Sequence, residues 1–223
     1  MNITIKLIIF FGGLLLGMTV FAQTRDSFFE GTVRYKIEFK GANAEMIKRN
    51  KPNDKMTIHI KDADYIVQLG GGMYPKTFLF IADSNYQFSI DMSNRAAYRY
   101  SAHSDMAKTE KDEGDVSAKP TGGTLTLNGI ECQEYRMVKD GTEFLYYVHD
   151  DYRVDVGAYP ANTRSKASWL APGLEGRIPL RTIKKQKGLS VLTDLVSIGE
   201  ASFELDQFRI PPGFKVKGRD YRF

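Results

Sequence analysis

The stretch TVRYKIEFK, residues 32–40, decides the fold class of this chain because apolar and polar residues alternate along its whole length. In an extended strand, Val33, Tyr35, Ile37 and Phe39 would share one face, and the charged and polar residues between them would share the other. A period of two, with aromatic and β-branched residues on one side, indicates a strand with one buried face. The stretch therefore predicts a sheet that covers a core.

The same alternation returns in two later runs, which contain Ile58 and Ile60 in one case and Phe88, Ile90 and Met92 in the other. Clusters of Asp, Asn and Ser separate the runs, and these residues favour turns. Strands follow one another at roughly ten-residue intervals from residue 55 to residue 101, which is typical of an antiparallel meander.

The second half of the chain reads as hairpins. Asn128-Gly129 and Asp140-Gly141 each stand between two strand-like runs, and both dipeptides suit type I′ turns. Residues 104–123 are charged and poor in apolar residues, so we interpret them as a mobile surface loop between two halves of one sheet. Residues 124–127 resume the strand pattern.

Helical material is scarce. Residues 44–50 and 162–170 suit two short helices, each followed by a proline. Residues 189–198 have some helical spacing, but their β-branched content favours a strand. Roughly ten strands must therefore bury their apolar faces with little help from helices. We predict a mainly β protein, a strongly curved antiparallel half-barrel with one or two short helices; a closed β-barrel or a sandwich is the alternative. Barrels and half-barrels of this size can enclose an apolar cavity.

The composition excludes several classes of protein. The chain has 223 residues, of which 42% are hydrophobic and 12% aromatic, and these values describe a globular chain rather than a disordered one. A single cysteine, Cys132, excludes an internal disulfide, and its position inside a strand favours a small buried side chain over a reactive thiol. The formal net charge of +4 is too small to indicate nucleic-acid binding.

Residues 1–22 have the pattern of a secretory signal peptide. Lys6 precedes an apolar run that ends in Val20-Phe21-Ala22, so we expect cleavage after Ala22; a retained N-terminal anchor is the alternative. Gln23 follows the cleavage site where a lipoprotein would have cysteine. The sequence predicts a single β-rich domain, residues 23–223, that is periplasmic or secreted and is not a lipoprotein.

Four motifs carry a resemblance to a known family: FFEGTVRYKI (28–37), LNGIECQEYRMV (127–138), GLEGRIPLRTI (173–183) and FRIPPGF (208–214). The chain resembles exported bacterial families of unknown function that have the fold of the lipoprotein-carrier, or LolA-like, superfamily. The resemblance implies an open, strongly curved antiparallel sheet wrapped about short helices, with a hydrophobic groove inside. It also implies a role in carrying or sensing the acyl chains of lipoproteins or envelope lipids.

No catalytic motif stands out. His149, Asp150, Asp151 and Asp155 are the densest group of potential metal ligands, and their oxygen atoms would suit Ca²⁺ or Mg²⁺. Their spacing matches neither an EF-hand nor a zincin, so we interpret them as the polar end of a hairpin. The triple glycine 70–72 lacks the Lys-Ser/Thr of a phosphate loop and is read as a turn or bulge. We therefore predict no catalytic residue, no cofactor and no metal.

The leading hypothesis is an exported, non-enzymatic binding or carrier protein for an apolar ligand, such as an acyl chain of a lipid or lipoprotein. The inward faces of the clearest strands would line the site: Val33, Tyr35, Ile37, Phe39, Ile58, Ile60, Phe88 and Ile90. One alternative is a structural or interaction module whose core is filled by its own side chains. A metal-dependent enzyme at the histidine–aspartate group is the third hypothesis.

Two basic stretches suggest a partner. They could attract anionic headgroups in a transient membrane contact, since each basic residue near such a surface contributes about 1 kcal/mol. A solvated face is the simpler interpretation of the same residues, and nucleic acid is not expected. The stretches are Arg181, Lys184, Lys185 and Lys187, and Lys215, Lys217, Arg219 and Arg222.

Overall fold

A single sheet of twelve strands organises the part of the chain that a computed structural model describes, residues 28–101, 117–158 and 171–218. The signal peptide, residues 104–116 of the predicted loop and the predicted helix 162–170 lie outside the described residues. The strands are β1 (Gly31–Lys40), β2 (Lys55–Lys61), β3 (Asp64–Gly70), β4 (Lys76–Ile81), β5 (Tyr86–Asp91), β6 (Ala96–Ser101), β7 (Lys119–Leu127), β8 (Ile130–Lys139), β9 (Thr142–Arg153), β10 (Arg177–Gln186), β11 (Leu189–Glu200) and β12 (Lys215–Gly218).

Helices are few among the described residues. They are α1 (Ala44–Arg49), which confirms the helix predicted there, and the short 3₁₀ helices Val156–Ala158 and Leu205–Phe208. Residues 189–198 are a strand, as their β-branched content predicts. In the described part of the chain, no helix is long and apolar enough to span a membrane.

The sheet is open. Its strand order is β12-β6-β5-β4-β3-β2-β1-β11-β10-β9-β8-β7, so β12 and β7 are its edges. Two meanders, β2–β6 and β7–β11, lie on either side of β1, and all these neighbours pair antiparallel. The mainly β half-barrel is confirmed, and the closed barrel and the sandwich are not observed. One detail differs from the prediction, because β12 pairs with β6 in parallel and makes the sheet mixed.

The turns form where the sequence predicts them. Asn128 and Gly129 have φ values of 50° and 82°, and Asp140 and Gly141 have φ values of 49° and 69°. Positive φ at both central residues defines the type I′ turn, whose twist matches that of the flanking strands. The registers Leu127↔Ile130 and Lys139↔Thr142 follow directly from these two turns.

Two boundaries differ from the prediction. β7 begins at Lys119, so residues 119–123 are not part of a loop. The pairing shifts between Pro120 and Thr124, where Gly122 has a φ of 81°; this bulge on an edge strand hides the alternation. β5 ends at Asp91, so Met92 lies in the following turn and is exposed rather than inward-facing.

Long-range contacts across β1, β9 and β10 reveal the curvature of the sheet. The Tyr35 hydroxyl of β1 donates a hydrogen bond to the carbonyl of Pro179 in β10 (2.8 Å), although β11 lies between these strands. The main-chain N–H of Phe29 reaches still farther and donates to the carbonyl of Arg153 at the end of β9 (2.6 Å). Pro179 lacks an N–H for the ladder, and the β9–β10 register shifts on both sides of it. The sheet therefore bends around the face that carries Tyr35, which we call the concave face.

Candidate functional site

Six of the eight residues predicted to line a ligand site share the concave face. The register pairs Val33 with Ile58 and Gly31 with Ile60, so alternate residues of β1 and β2 point the same way. These are Val33, Tyr35, Ile37, Phe39, Ile58 and Ile60.

Phe88 and Ile90 lie on the opposite face. Following the register outward from Ile58 leads through Val67 and Phe78 to Ser89, so the neighbours of Ser89 in β5 point away from the concave face. The expectation that all eight residues share one face is therefore wrong. Alternation separates the two faces of a strand but does not say which of them a curved sheet encloses.

A segment of the chain itself covers Phe88 and Ile90. They pack with Leu79, Ala97 and Phe208, and Phe208 is only 2% exposed. This C-terminal strap, residues 201–214, is held at its start by a hydrogen bond from Lys61 Nζ to the carbonyl of Phe203 (2.6 Å). The outer face of β3–β6 is thus a second core.

Burial changes along the concave face. Val33, Ile58 and Ile60 have no exposed surface and Tyr35 is buried, whereas Ile37 and Phe39 remain partly exposed. Near the C-terminal end of β1, other apolar side chains on the concave face are also partly exposed. Register places Val191 opposite Phe39 and pairs Met56 with Leu69 on this face. The concave face is packed shut at one end and accessible at the other.

Two aromatic residues contribute to the closed end. Phe29 meets Tyr152 edge to face, with ring centroids 5.9 Å apart, and is itself buried. Burial also raises the pKa of Tyr35, so its hydroxyl stays neutral and keeps its proton for the Pro179 carbonyl. The partly exposed apolar strip of Ile37, Phe39, Met56, Leu69 and Val191 is the candidate binding surface, and we call it the apolar strip.

Two of the five residues of this strip, Ile37 and Phe39, belong to the lining that the sequence predicts. Met56 belongs to the alternation of β2, and its inward position could be read from that pattern. Val191 lies in the stretch whose spacing fits both helix and strand, so its face could be assigned only from its pairing with Phe39.

In the described part of the chain, the histidine–aspartate group is not arranged as a set of metal ligands. Asp150 accepts a hydrogen bond from Arg177 Nε (2.6 Å), which holds the pKa of that carboxyl below its usual range. Asp155 accepts from a main-chain N–H two residues on (2.8 Å), and His149 faces Asp151 at 3.6 Å. Over residues 28–101, 117–158 and 171–218, no three His, Cys, Asp or Glu side chains are placed to hold a metal ion.

The first basic stretch is mostly engaged in contacts within the sheet. Arg181 makes two hydrogen bonds to the Asp194 carboxylate (2.8 and 2.7 Å), and Lys185 pairs with Glu143 (3.1 Å). Lys187 alone of this stretch lies in a turn. In the second stretch, Arg219 and Arg222 lie outside the described residues.

Cys132 is completely buried, and burial raises the pKa of its thiol. The prediction of a small, packed side chain is confirmed. A thiol in this environment is a poor nucleophile because the thiolate is disfavoured.

Comparisons with known proteins bear on the fold. No family model and no curated protein matches the chain. An uncharacterized conserved protein from Thermus thermophilus matches with a TM-score of 0.51 and 10% identity over 85% of this chain and 91% of that one. PNGF-II matches with a TM-score of 0.50 and 14% identity over 86% of this chain, which spans about a third of PNGF-II, 32%.

A LolA superfamily protein from Nitrosomonas europaea also matches, with a TM-score of 0.36 and 10% identity over 81% of this chain and 90% of that one. At such identities the similarity concerns the fold alone. The open, curved antiparallel half-barrel, which is the fold that the sequence resemblance implies, is confirmed by the strand order itself.

Proposed function

We propose that the protein is an exported, non-enzymatic binding or carrier protein for an apolar ligand with an acyl chain. It would act in the periplasm or outside the cell, as the N-terminal sequence predicts. The observation that carries the proposal is the apolar strip, because a folded protein rarely leaves aligned apolar side chains partly exposed inside a curved sheet without a use for them.

Because burial differs between the two ends of the concave face, we propose ligand contacts for only part of the residues that the sequence predicts. Val33, Ile58 and Ile60 have no surface to offer and would form the closed end. Ile37 and Phe39 would contact the ligand directly, together with the rest of the apolar strip. Affinity would come from the apolar area removed from water, about 25 cal/mol per Å².

Titration with a fluorescent fatty acid tests the proposal. Phe39→Gln should weaken binding by about fivefold to thirtyfold, because roughly 1–2 kcal/mol of apolar contact is replaced by a buried amide. Glu38→Gln is the matched control, since it makes the same side chain at the next position, which points to the other face. Its affinity should equal that of the unaltered protein.

Native mass spectrometry of the protein from its own cell envelope adds an independent measurement. We expect a bound species that is lost on delipidation and restored by added fatty acid. Ligand-free protein that also fails to bind the fluorescent probe would contradict the proposal. It would favour the alternative of a module whose core is filled by its own side chains. One end of the concave face is already filled in this way, because Val33, Ile58 and Ile60 are completely buried there.

A further inference from the structure

The two ends of the half-barrel carry opposite charge. One end is built by the turns between β3 and β4, β5 and β6, β8 and β9, and β10 and β11, by the β1–β2 connection that contains α1, and by the start of β12. We call it the basic rim, residues 40–55, 70–76, 91–96, 139–142, 186–189 and 215. It holds ten basic residues, Lys40, Lys48, Arg49, Lys51, Lys55, Lys76, Arg95, Lys139, Lys187 and Lys215, and four acidic ones, Glu45, Asp54, Asp91 and Asp140.

The other end has the reverse balance. The described segments there, residues 28–31, 61–64, 81–86, 127–130, 149–158, 171–177 and 199–204, contain ten acidic and three basic residues. The acidic ones are Glu30, Asp62, Asp64, Asp83, Asp150, Asp151, Asp155, Glu175, Glu200 and Glu204, and the basic ones are Lys61, Arg153 and Arg177. A chain with a net charge of only +4 therefore has a strong charge asymmetry along its strands.

Exposed apolar side chains gather at the basic rim. Met46 in α1, Met73 and Tyr74 between β3 and β4, and Met92 between β5 and β6 are between 53% and 70% exposed. Large apolar side chains at exposed positions, surrounded by basic residues, are typical of protein surfaces that insert into a lipid interface.

Part of the rim is held in place by its own backbone. The main-chain N–H of Met73 donates to the carbonyl of Lys51 (2.9 Å), and Asn53 Nδ2 donates to the carbonyl of Tyr74 (3.0 Å). Gly72 permits this approach, because a Cβ atom at that position would lie 2.5 Å from the main-chain nitrogen of Asn53. The β3–β4 turn is therefore presented on a fixed support, and little order must be gained when it meets a partner.

We propose that the basic rim docks on a bilayer rich in anionic phospholipid, with Met73, Tyr74, Met46 and Met92 entering the headgroup region. Each basic residue near such a surface contributes about 1 kcal/mol. The acidic end is repelled by the same surface, so the charge asymmetry also sets the orientation. Ile37, Phe39 and Met56 lie toward the rim, which places the accessible end of the apolar strip next to the membrane.

Docking itself requires no ligand. Only the idea that docking brings a ligand to or from the apolar strip rests on the proposed function. The surface is also distinct from Arg181, Lys184 and Lys185, which the sequence suggested for membrane contact, since two of those three are paired with carboxylates.

Co-sedimentation with phospholipid vesicles tests the docking surface. The purified protein should bind vesicles of phosphatidylglycerol and phosphatidylcholine, bind vesicles of phosphatidylcholine alone much less, and be released by salt because the attraction is screened. Replacing two exposed rim residues, Arg49→Gln with Lys76→Gln, should lower the partition coefficient about thirtyfold, from about 1 kcal/mol for each charge removed. Arg34→Gln with Arg153→Gln removes the same charge from exposed residues outside the rim, Arg153 lying at the acidic end, and should have little effect.

A second pair of variants tests the apolar contact. Met73→Ser with Tyr74→Ser should weaken vesicle binding at least tenfold, whereas Val196→Ser with Leu205→Ser, which alters equally exposed residues elsewhere, should not. Equal effects of rim and control variants would overturn the proposal, as would equal binding to neutral vesicles. Retention on DNA or heparin without binding to vesicles would also overturn it and would assign the rim to another polyanion.

The fluorescent fatty acid titration without vesicles separates the two proposals. The variant with Arg49→Gln and Lys76→Gln should bind the fatty acid as the unaltered protein does while losing vesicle binding. A protein that docks but binds no fatty acid would leave the docking surface standing and remove the proposed function.

Discussion

Tyr35→Phe removes a hydroxyl that joins two strands across the concave face. The hydroxyl donates to the carbonyl of Pro179 at 2.8 Å, and both residues are buried. The phenylalanine ring would fill the same space, but the carbonyl would lose this partner in a place that water does not reach. Leaving a buried acceptor unpaired costs about 1–3 kcal/mol.

We expect Tyr35→Phe to lower the free energy of unfolding by about 2 kcal/mol, measured by urea denaturation. The midpoint of thermal unfolding should fall by about 4–8 °C, from the usual scaling for a chain of this length. Tyr74→Phe removes a hydroxyl from an exposed tyrosine and is the control, with an expected change within 0.5 kcal/mol, roughly the usual surface value. If Tyr35→Phe lowers the free energy of unfolding no more than Tyr74→Phe does, the reasoning that the sheet bends far enough for β1 to form a hydrogen bond with β10 is refuted.

Three further predictions concern stability and reactivity. Burial raises the pKa of Tyr35 far above that of an unfolded tyrosine, about 10, so between pH 10 and 12 the unfolded chain releases a proton that the native state keeps. The free energy of unfolding should fall by about 1.4 kcal/mol per pH unit from this group, and the fall should be smaller by that amount in Tyr35→Phe. Phe208→Ala should lower the free energy of unfolding by about 3–4 kcal/mol in the same denaturation assay, because it empties the centre of the C-terminal strap. Leu205→Ala, on the exposed side of that strap, should change it by less than about 0.5 kcal/mol, and similar losses for the two would contradict the second core. The Cys132 thiol should react with a thiol-specific chromogenic reagent only as fast as the chain unfolds, and rapid labelling under native conditions would show that it is not packed.

The alternation of residues predicts the strands well and the two faces of the sheet only in part. In β1, β2 and β5 a period of two marks which side chains point together. Which face of the sheet receives a strand's apolar residues depends on the length and geometry of the turn before that strand. A difference of one residue in the pairing register moves all of them to the other face. This is why the alternation places Phe88 and Ile90 correctly in a strand but on the wrong side of the sheet.

Strand segments with few local sequence signals were not predicted. The first five residues of β7, 119–123, include Pro120, Gly122 and Gly123 and read as a loop, so only residues 124–127 of this strand were predicted. β12 is four exposed residues long and depends on its alignment beside β6, which no pattern in residues 215–218 announces.

The charge asymmetry could have been found in the sequence. Successive turns of a meander lie at alternate ends of the sheet, so charges counted over every second turn would separate the end with Lys51 and Lys76 from the end with Asp62 and Asp83. The net charge of the whole chain hides this difference between the two ends. The full count requires the strand order, and the sequence predicts only part of it, namely the meander over residues 55–101 and the hairpins near residues 128 and 140.

The central claim is that the accessible end of the concave face binds an acyl chain, and photochemical labelling tests it most directly. A fatty acid with a diazirine on its chain would be bound, irradiated and mapped by peptide mass spectrometry. We expect labelling on peptides that contain Ile37, Phe39 and Val191, with competition by unlabelled fatty acid. Labelling confined to the outer face at Phe88 and Ile90, or none that unlabelled fatty acid competes away, would contradict the claim.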